Sequence, residues 1–229
     1  MTGDPVRIAI DDTLAVSGLL LVPQEPVACY VFAHGAGAGM THAFMDAFAS
    51  DLAAVRIATL RYQFPYMERG SKRPDAPAVA HAAVRAAVAH AHGSLPALPL
   101  IAGGKSYGGR MTSQAQAIAP LDGVRGLAFV GFPLHPAGTP AIDRAAHLRD
   151  VAIPMLFLSG TRDELADLAL LRGVVDGIGA RATLRLFDDA DHSLHVLARS
   201  GRKDADVRRL AAAAMAEWNL TLTPAGAGP

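Results

Sequence analysis

Apolar residues follow two alternating rhythms along the chain. Short runs rich in β-branched residues give way to longer Ala/Leu-rich stretches whose apolar positions recur three and four apart, and that alternation predicts a mainly parallel sheet with helices on both faces. The strand-like runs are 6–10, 14–22, 27–33, 56–62, 98–103, 124–131, 154–159 and 182–187. Asp11-Asp12 sits between the first two as a tight-turn signal, so that pair is expected to be antiparallel. The expected class is α/β with an eight-stranded sheet.

Helical period is clearest over 41–55, where Met45, Phe48, Ala49, Leu52 and Val55 share a face and Thr41 reads as the N-cap. Over 76–92, Ala80, Val84, Val88 and Ala91 form one stripe, and Met111, Ala115 and Ile118 form another over 107–118. Helices 164–176 and 203–218 complete the set. About 20 residues separate Pro133 from Pro154, enough for one short helix but not for a cap domain over an active site. A single domain is expected over 1–221, followed by a tail at 222–229 whose Thr223-Pro-Ala-Gly-Ala-Gly-Pro229 reads as disordered.

Composition narrows the class. A chain of 229 residues can bury roughly 70% of its unfolded surface in one core. With 51% hydrophobic and 18% charged residues it is too apolar to be disordered, yet no run nears the roughly 18 apolar residues of a membrane span. Twenty-one basic and 21 acidic side chains cancel, leaving no field for phosphate backbones or anionic lipid, so neither a nucleic-acid nor a membrane partner is expected. Cys29 lies in the apolar run 27–32 and reads as a buried thiol. With no signal-like N-terminus, the expected compartment is the cytoplasm. No Cys/His spacing of the zinc type occurs, and neither a metal nor a cofactor is expected.

The chemistry centres on Gly104-Lys105-Ser106-Tyr107-Gly108, a G-x-S-x-G match between a buried strand and a helix. Such a turn strains its central residue, so positions two away on either side must lack bulk. Ser106 is then raised above the sheet edge at a helix N-terminus that favours negative charge. Ser106 as a mere helix cap is the plainer alternative. A P-loop reading fails because G-x-x-x-x-G-K-[ST] needs glycine at 99, which is Pro99.

Upstream, Gly35, Gly37 and Met40 break the dinucleotide fingerprint at its third glycine. The loop fits better as an oxyanion loop, with backbone N–H donors expected from Tyr107 and Ala36, and Gly37 as the alternative to Ala36. His34 reads as a structural loop histidine. A serine needs a base and an orienting carboxylate, and both follow in order. Asp163 comes after the seventh strand and His192 after the eighth, in loops on the serine's edge of a parallel sheet. Thr161 and Glu164 have capping-box spacing, which would also place Asp163 in a helix's first turn. Asp188, Asp189 and Asp191 read as solvated turn residues. His192 and His195 only faintly sketch a metal site. The aromatic run containing Tyr62, Phe64 and Tyr66 either walls a pocket for a small or flat acyl group or packs at the end of the fourth strand.

These residues resemble the α/β-hydrolase superfamily over nearly the whole chain. His34-Gly-Ala-Gly-Ala-Gly-Met40, Arg61-Tyr-Gln-Phe-Pro-Tyr-Met-Glu68, Gly103-Gly-Lys-Ser-Tyr-Gly-Gly-Arg110 and Gly160-Thr-Arg-Asp-Glu164 are similar to the small, lidless dienelactone-hydrolase-like family. That family includes the hydrolase-like domain of a subunit of the NSL chromatin complex. The resemblance implies a Ser106-Asp163-His192 triad and a substrate-facing role for the segment from Tyr62 to Tyr66. Dienelactone hydrolases carry cysteine at the elbow, where this chain has serine. The expected activity is hydrolysis of a small-molecule ester or thioester through an acyl-enzyme. The alternatives are amide or peptide cleavage by the same residues, or a catalytically idle scaffold.

Overall fold

The computed structural model describes residues 3–222. The strands are β1 (Asp4–Ala9), β2 (Ala15–Leu21), β3 (Ala28–Ala33), β4 (Ile57–Tyr62), β5 (Leu100–Lys105), β6 (Val124–Val130), β7 (Met155–Gly160) and β8 (Ala182–Phe187). They form one sheet in the order β1-β2-β4-β3-β5-β6-β7-β8. Asp11 closes the first hairpin by accepting from the backbone N–H groups of Thr13 and Leu14, each at 2.8 Å. The β1–β2 and β2–β4 pairs are therefore antiparallel, and every pair from β3 to β8 is parallel. The strand at the centre, β3, is buried along its whole length, as a parallel strand covered on both faces must be.

The helices are α1 (Ala43–Ala54), α2 (Pro65–Glu68), α3 (Pro77–Ser94), α4 (Tyr107–Ile118), α5 (Leu168–Ile178) and α6 (Asp204–Asn219). Alternation along β3 sorts them. Tyr30 and Phe32 face the layer built by Met45, Phe48 and Leu52 of α1 and by Ala211, Met215 and Trp218 of α6. Cys29 and Val31 face the opposite layer, with Val84 and Val88 of α3, Met111 of α4 and Leu171 of α5. Burial pushes the Cys29 thiol up to about 12, which leaves it inert.

Three local expectations change. α1 is capped by His42, whose ring accepts from Phe44 N at 3.2 Å, rather than by Thr41. α5 starts at Leu168 under an Asp167 cap that accepts from Ala169 N and Leu170 N, both at 3.0 Å, so Thr161 and Glu164 form no capping box. Residues 161–167 are used instead to shape the loop that carries Asp163. Leu222, placed in the tail by its sequence, is buried in the same cluster as Trp218; residues 223–229 lie outside the described residues. Between Pro133 and Pro154 a 3-10 helix at Asp143–Asp150 is all that forms, and no cap domain covers the strand ends. No helix among the described residues is long and apolar enough to cross a membrane.

Candidate active site

β5 runs into α4 through Ser106, whose φ of 51° and ψ of −115° lie where an L-residue is strained. The strain persists because the turn is wedged against β3. A Cβ added at Gly104 or at Gly108 would lie 2.4 or 2.6 Å from the carbonyl oxygen of Ala33, so any side chain there would push the elbow off the sheet. Ser106 N donates to Val130 O at 3.1 Å, and Ser106 O accepts from Arg110 N at 3.1 Å as the first turn of α4. The hydroxyl thus stands at the C-terminal edge of the sheet over a helix N-terminus.

The loops after β7 and β8 bring Asp163 and His192 together. The His192 Nδ1–H lies 2.9 and 2.8 Å from the two Asp163 carboxylate oxygens. Asp163 is 6% exposed and also accepts from Leu165 N at 2.8 Å, which fixes its plane. With the proton on Nδ1, the His192 Nε2 lone pair is free, and that nitrogen is buried without a hydrogen-bond partner. Ser106 and His192 line one cavity of about 400 Å³. They share it without a hydrogen bond between them, and such contacts commonly tighten only when a ligand is bound. Asp191 is more than a solvated turn residue, since its carboxylate accepts from Ser193 N at 2.7 Å and His195 N at 3.0 Å and so shapes the His192 loop. His195 turns to Asp204 at 2.8 Å instead of joining His192, and no cluster of three metal-ligating side chains occurs among the described residues.

Tyr62, Phe64 and Tyr66 line neither of the cavities that Ser106 lines. All three are at most 1% exposed and stack edge to face or offset with one another. Their segment buttresses the loop after β3. Phe64 N donates to His34 Nε2 at 3.1 Å, and His34 Nδ1–H donates to Gly35 O at 2.8 Å. Tyr66 Oη accepts from Gly37 N at 3.1 Å, and Gln63 Oε1 accepts from Met40 N at 2.8 Å. The buried Arg61 guanidinium pairs with Asp46 and donates to Met40 O at 3.2 Å. Gly37 N–H is therefore occupied, which leaves Ala36, exposed on the cavity, as the loop's candidate donor beside Tyr107 at the start of α4. Burial lowers the His34 pKa to about 4, so the ring is neutral at physiological pH and serves as a structural link.

Sequence reasoning used Lys105 only to reject a phosphate loop. In the fold its side chain is buried at the end of β5, and its Nζ donates to His192 O at 2.6 Å. Burial lowers its pKa to about 8, opposed by the charges of Asp163 and Asp191. The available signal was its place inside the elbow motif, on the last buried position of a central strand. Ser106 also lines a second cavity, of about 490 Å³, whose wall includes Asp75, Tyr107, Arg110 and Arg144.

A family model described as an alpha/beta hydrolase domain matches residues 26–219. Solved structures share the fold at low identity. An alpha-beta serine hydrolase homologue from Coxiella burnetii is 18% identical with a TM-score of 0.75, over 94% of this chain and 98% of that one. A lidless α/β serine hydrolase from Xanthomonas campestris is 19% identical with a TM-score of 0.72, over 94% of each chain. A dienelactone hydrolase from Anabaena variabilis is 18% identical with a TM-score of 0.76, over 98% and 99%. At these identities the neighbours bear on fold alone. The family match spans most of the sequence, and the chain belongs to the α/β-hydrolase domain family.

Proposed function

We propose that this chain is a serine hydrolase that cleaves a small-molecule ester or thioester through an acyl-enzyme. The observation that carries the reading is His192, held through Nδ1 by both Asp163 oxygens, with an unpartnered Nε2, and lining the same cavity as the strained Ser106. A serine hydroxyl is a weak nucleophile near neutral pH, so an oriented imidazole is what this site adds.

In this reading His192 Nε2 takes the Ser106 Oγ proton as Oγ attacks the carbonyl carbon. The backbone N–H groups of Tyr107 and Ala36 donate to the oxyanion of the tetrahedral intermediate, with the α4 N-terminus behind them. The intermediate collapses as His192 returns the proton to the leaving oxygen or sulfur. Water, activated by the same nitrogen, then releases the acid. Asp163 holds the tautomer and stabilises the imidazolium. No metal or cofactor enters these steps.

A chain-length series of 4-nitrophenyl esters and matching thioesters, run beside Ser106→Ala, tests the reading. Turnover that depends on Ser106 supports it. Turnover that survives the substitution, or none across the series, counts against it.

A further inference from the structure

Two cavities meet at Ser106, and only one of them is lined by His192. On the hydrolase reading above, His192 must return its proton to the leaving group, so the leaving group occupies the His192 side and the acyl chain runs the other way. We infer that the second cavity receives the acyl group and that Arg110 and Arg144 in its wall hold a carboxylate at the far end of it, so the preferred substrate is an ester or thioester of a dicarboxylic acid.

Arg110 lies four residues beyond Ser106, one turn along α4, and Arg144 comes from the 3-10 helix at Asp143–Asp150. Neither guanidinium has a hydrogen bond or an ion pair with any described residue. The Nε of Arg110 is buried with no partner, and so is the Oη of Tyr107 in the same wall. Burial and the nearby charge of Arg144 both lower the Arg110 pKa, the signature of two cations close together without a counterion between them. The carboxylate in this wall, Asp75, pairs with Arg69 through Oδ1, its Oδ2 is buried without a partner, and it forms no ion pair with Arg110 or Arg144. A half-buried, unpaired guanidinium is costly to keep, and a carboxylate offers it two parallel charge-assisted hydrogen bonds in matching geometry. The opposite cavity, beside His42, Phe44 and Met45, offers the leaving group a more apolar surface.

The kinetic test compares mono-4-nitrophenyl adipate with the same ester methyl-capped at its free carboxylate. The expected kcat/KM ratio favours the free carboxylate by about tenfold or more, the scale of one charge-assisted contact. In Arg110→Met, and separately in Arg144→Met, that ratio falls toward unity. A capped ester turned over as fast as the free one, or a ratio unchanged by both substitutions, overturns the assignment. A second measurement needs no turnover: adipate is titrated calorimetrically into Ser106→Ala protein. Saturable binding that weakens about tenfold in Ser106→Ala/Arg144→Met supports the anion subsite, and absence of binding overturns it. Adipate binding without Ser106-dependent cleavage of either ester would keep the anion site and overturn the hydrolase reading on which the substrate class rests.

Discussion

Lys105 Nζ and the carbonyl oxygen of His192 are 2.6 Å apart, so the residue just before the elbow serine is tied directly to the residue proposed as its base. The bond crosses 87 residues of sequence and links the end of β5 to the loop after β8. It ties the strand that leads into Ser106 to the loop that carries His192. A charge-assisted hydrogen bond of this kind is worth about 1.5–3 kcal/mol.

Replacing Lys105 by Met keeps the packing and removes the tie. The expected result is a kcat lower by about tenfold or more with a smaller change in KM, because a displaced base costs chemistry more than binding. The native amine titrates near 8, below its ordinary 10.5. Between those values the unfolded chain binds the extra proton, so the Lys105 contribution to stability rises with pH over that window, while activity falls above about pH 8 as the charge on the tie is lost. Rate and denaturation profiles against pH check both signs, and both trends should vanish in Lys105→Met.

Asp163→Asn is expected to lower kcat by about 10⁴ with little loss of stability, since an amide at that position favours the wrong imidazole tautomer. Steady-state kinetics beside thermal melting check this. A full loss of fold instead would mean that the Asp163 charge serves the fold rather than the imidazole.

His34 predicts the acid limb of stability. Its ring is fully buried and neutral, with a native pKa of about 4 against an ordinary 6.5. The unfolded chain therefore takes up the proton first, and stability present above about pH 6.5 is lost progressively down to about pH 4, by roughly 3 kcal/mol. Burial holds His147 at about 4 as well, so it shares the limb. Urea titrations from pH 4 to 7 should show a shallower slope in His34→Gln, and a slope identical to the native one would contradict the role.

Tyr66→Phe deletes the acceptor of Gly37 N–H while keeping the ring. A loss of about 1 kcal/mol in stability and a several-fold fall in kcat are expected, because the loop that carries Ala36 N–H loses one of its struts. Unchanged kinetics would show that the loop is held adequately by His34 and Gln63.

What could be read from the sequence was what obeys local or topological rules. The elbow was legible because sterics at Gly104 and Gly108 act within five residues and leave a motif. Asp163 and His192 were legible because a parallel sheet sends every strand-to-helix loop to one edge. The start of α5 was missed because Asp167 outcompetes Thr161 as a cap once 161–167 are drawn into the Asp163 loop. For Tyr62, Phe64 and Tyr66 the sequence leaves a pocket wall and packing at the end of β4 both open, because aromatic character alone does not say which side of the loop after β3 they support. Lys105 escaped notice because its partner is a backbone carbonyl, which leaves no mark on residue identity.

The central claim is an activated Ser106. Reaction with a fluorophosphonate, read by intact mass and peptide mapping, tests it most directly, because covalent capture needs the nucleophile and its base but no knowledge of the substrate. The account predicts one phosphonyl adduct, on the peptide carrying Ser106, formed quickly by the native protein and slowly or not at all by His192→Ala. An unlabelled native protein, or labelling that is indifferent to His192, would contradict it.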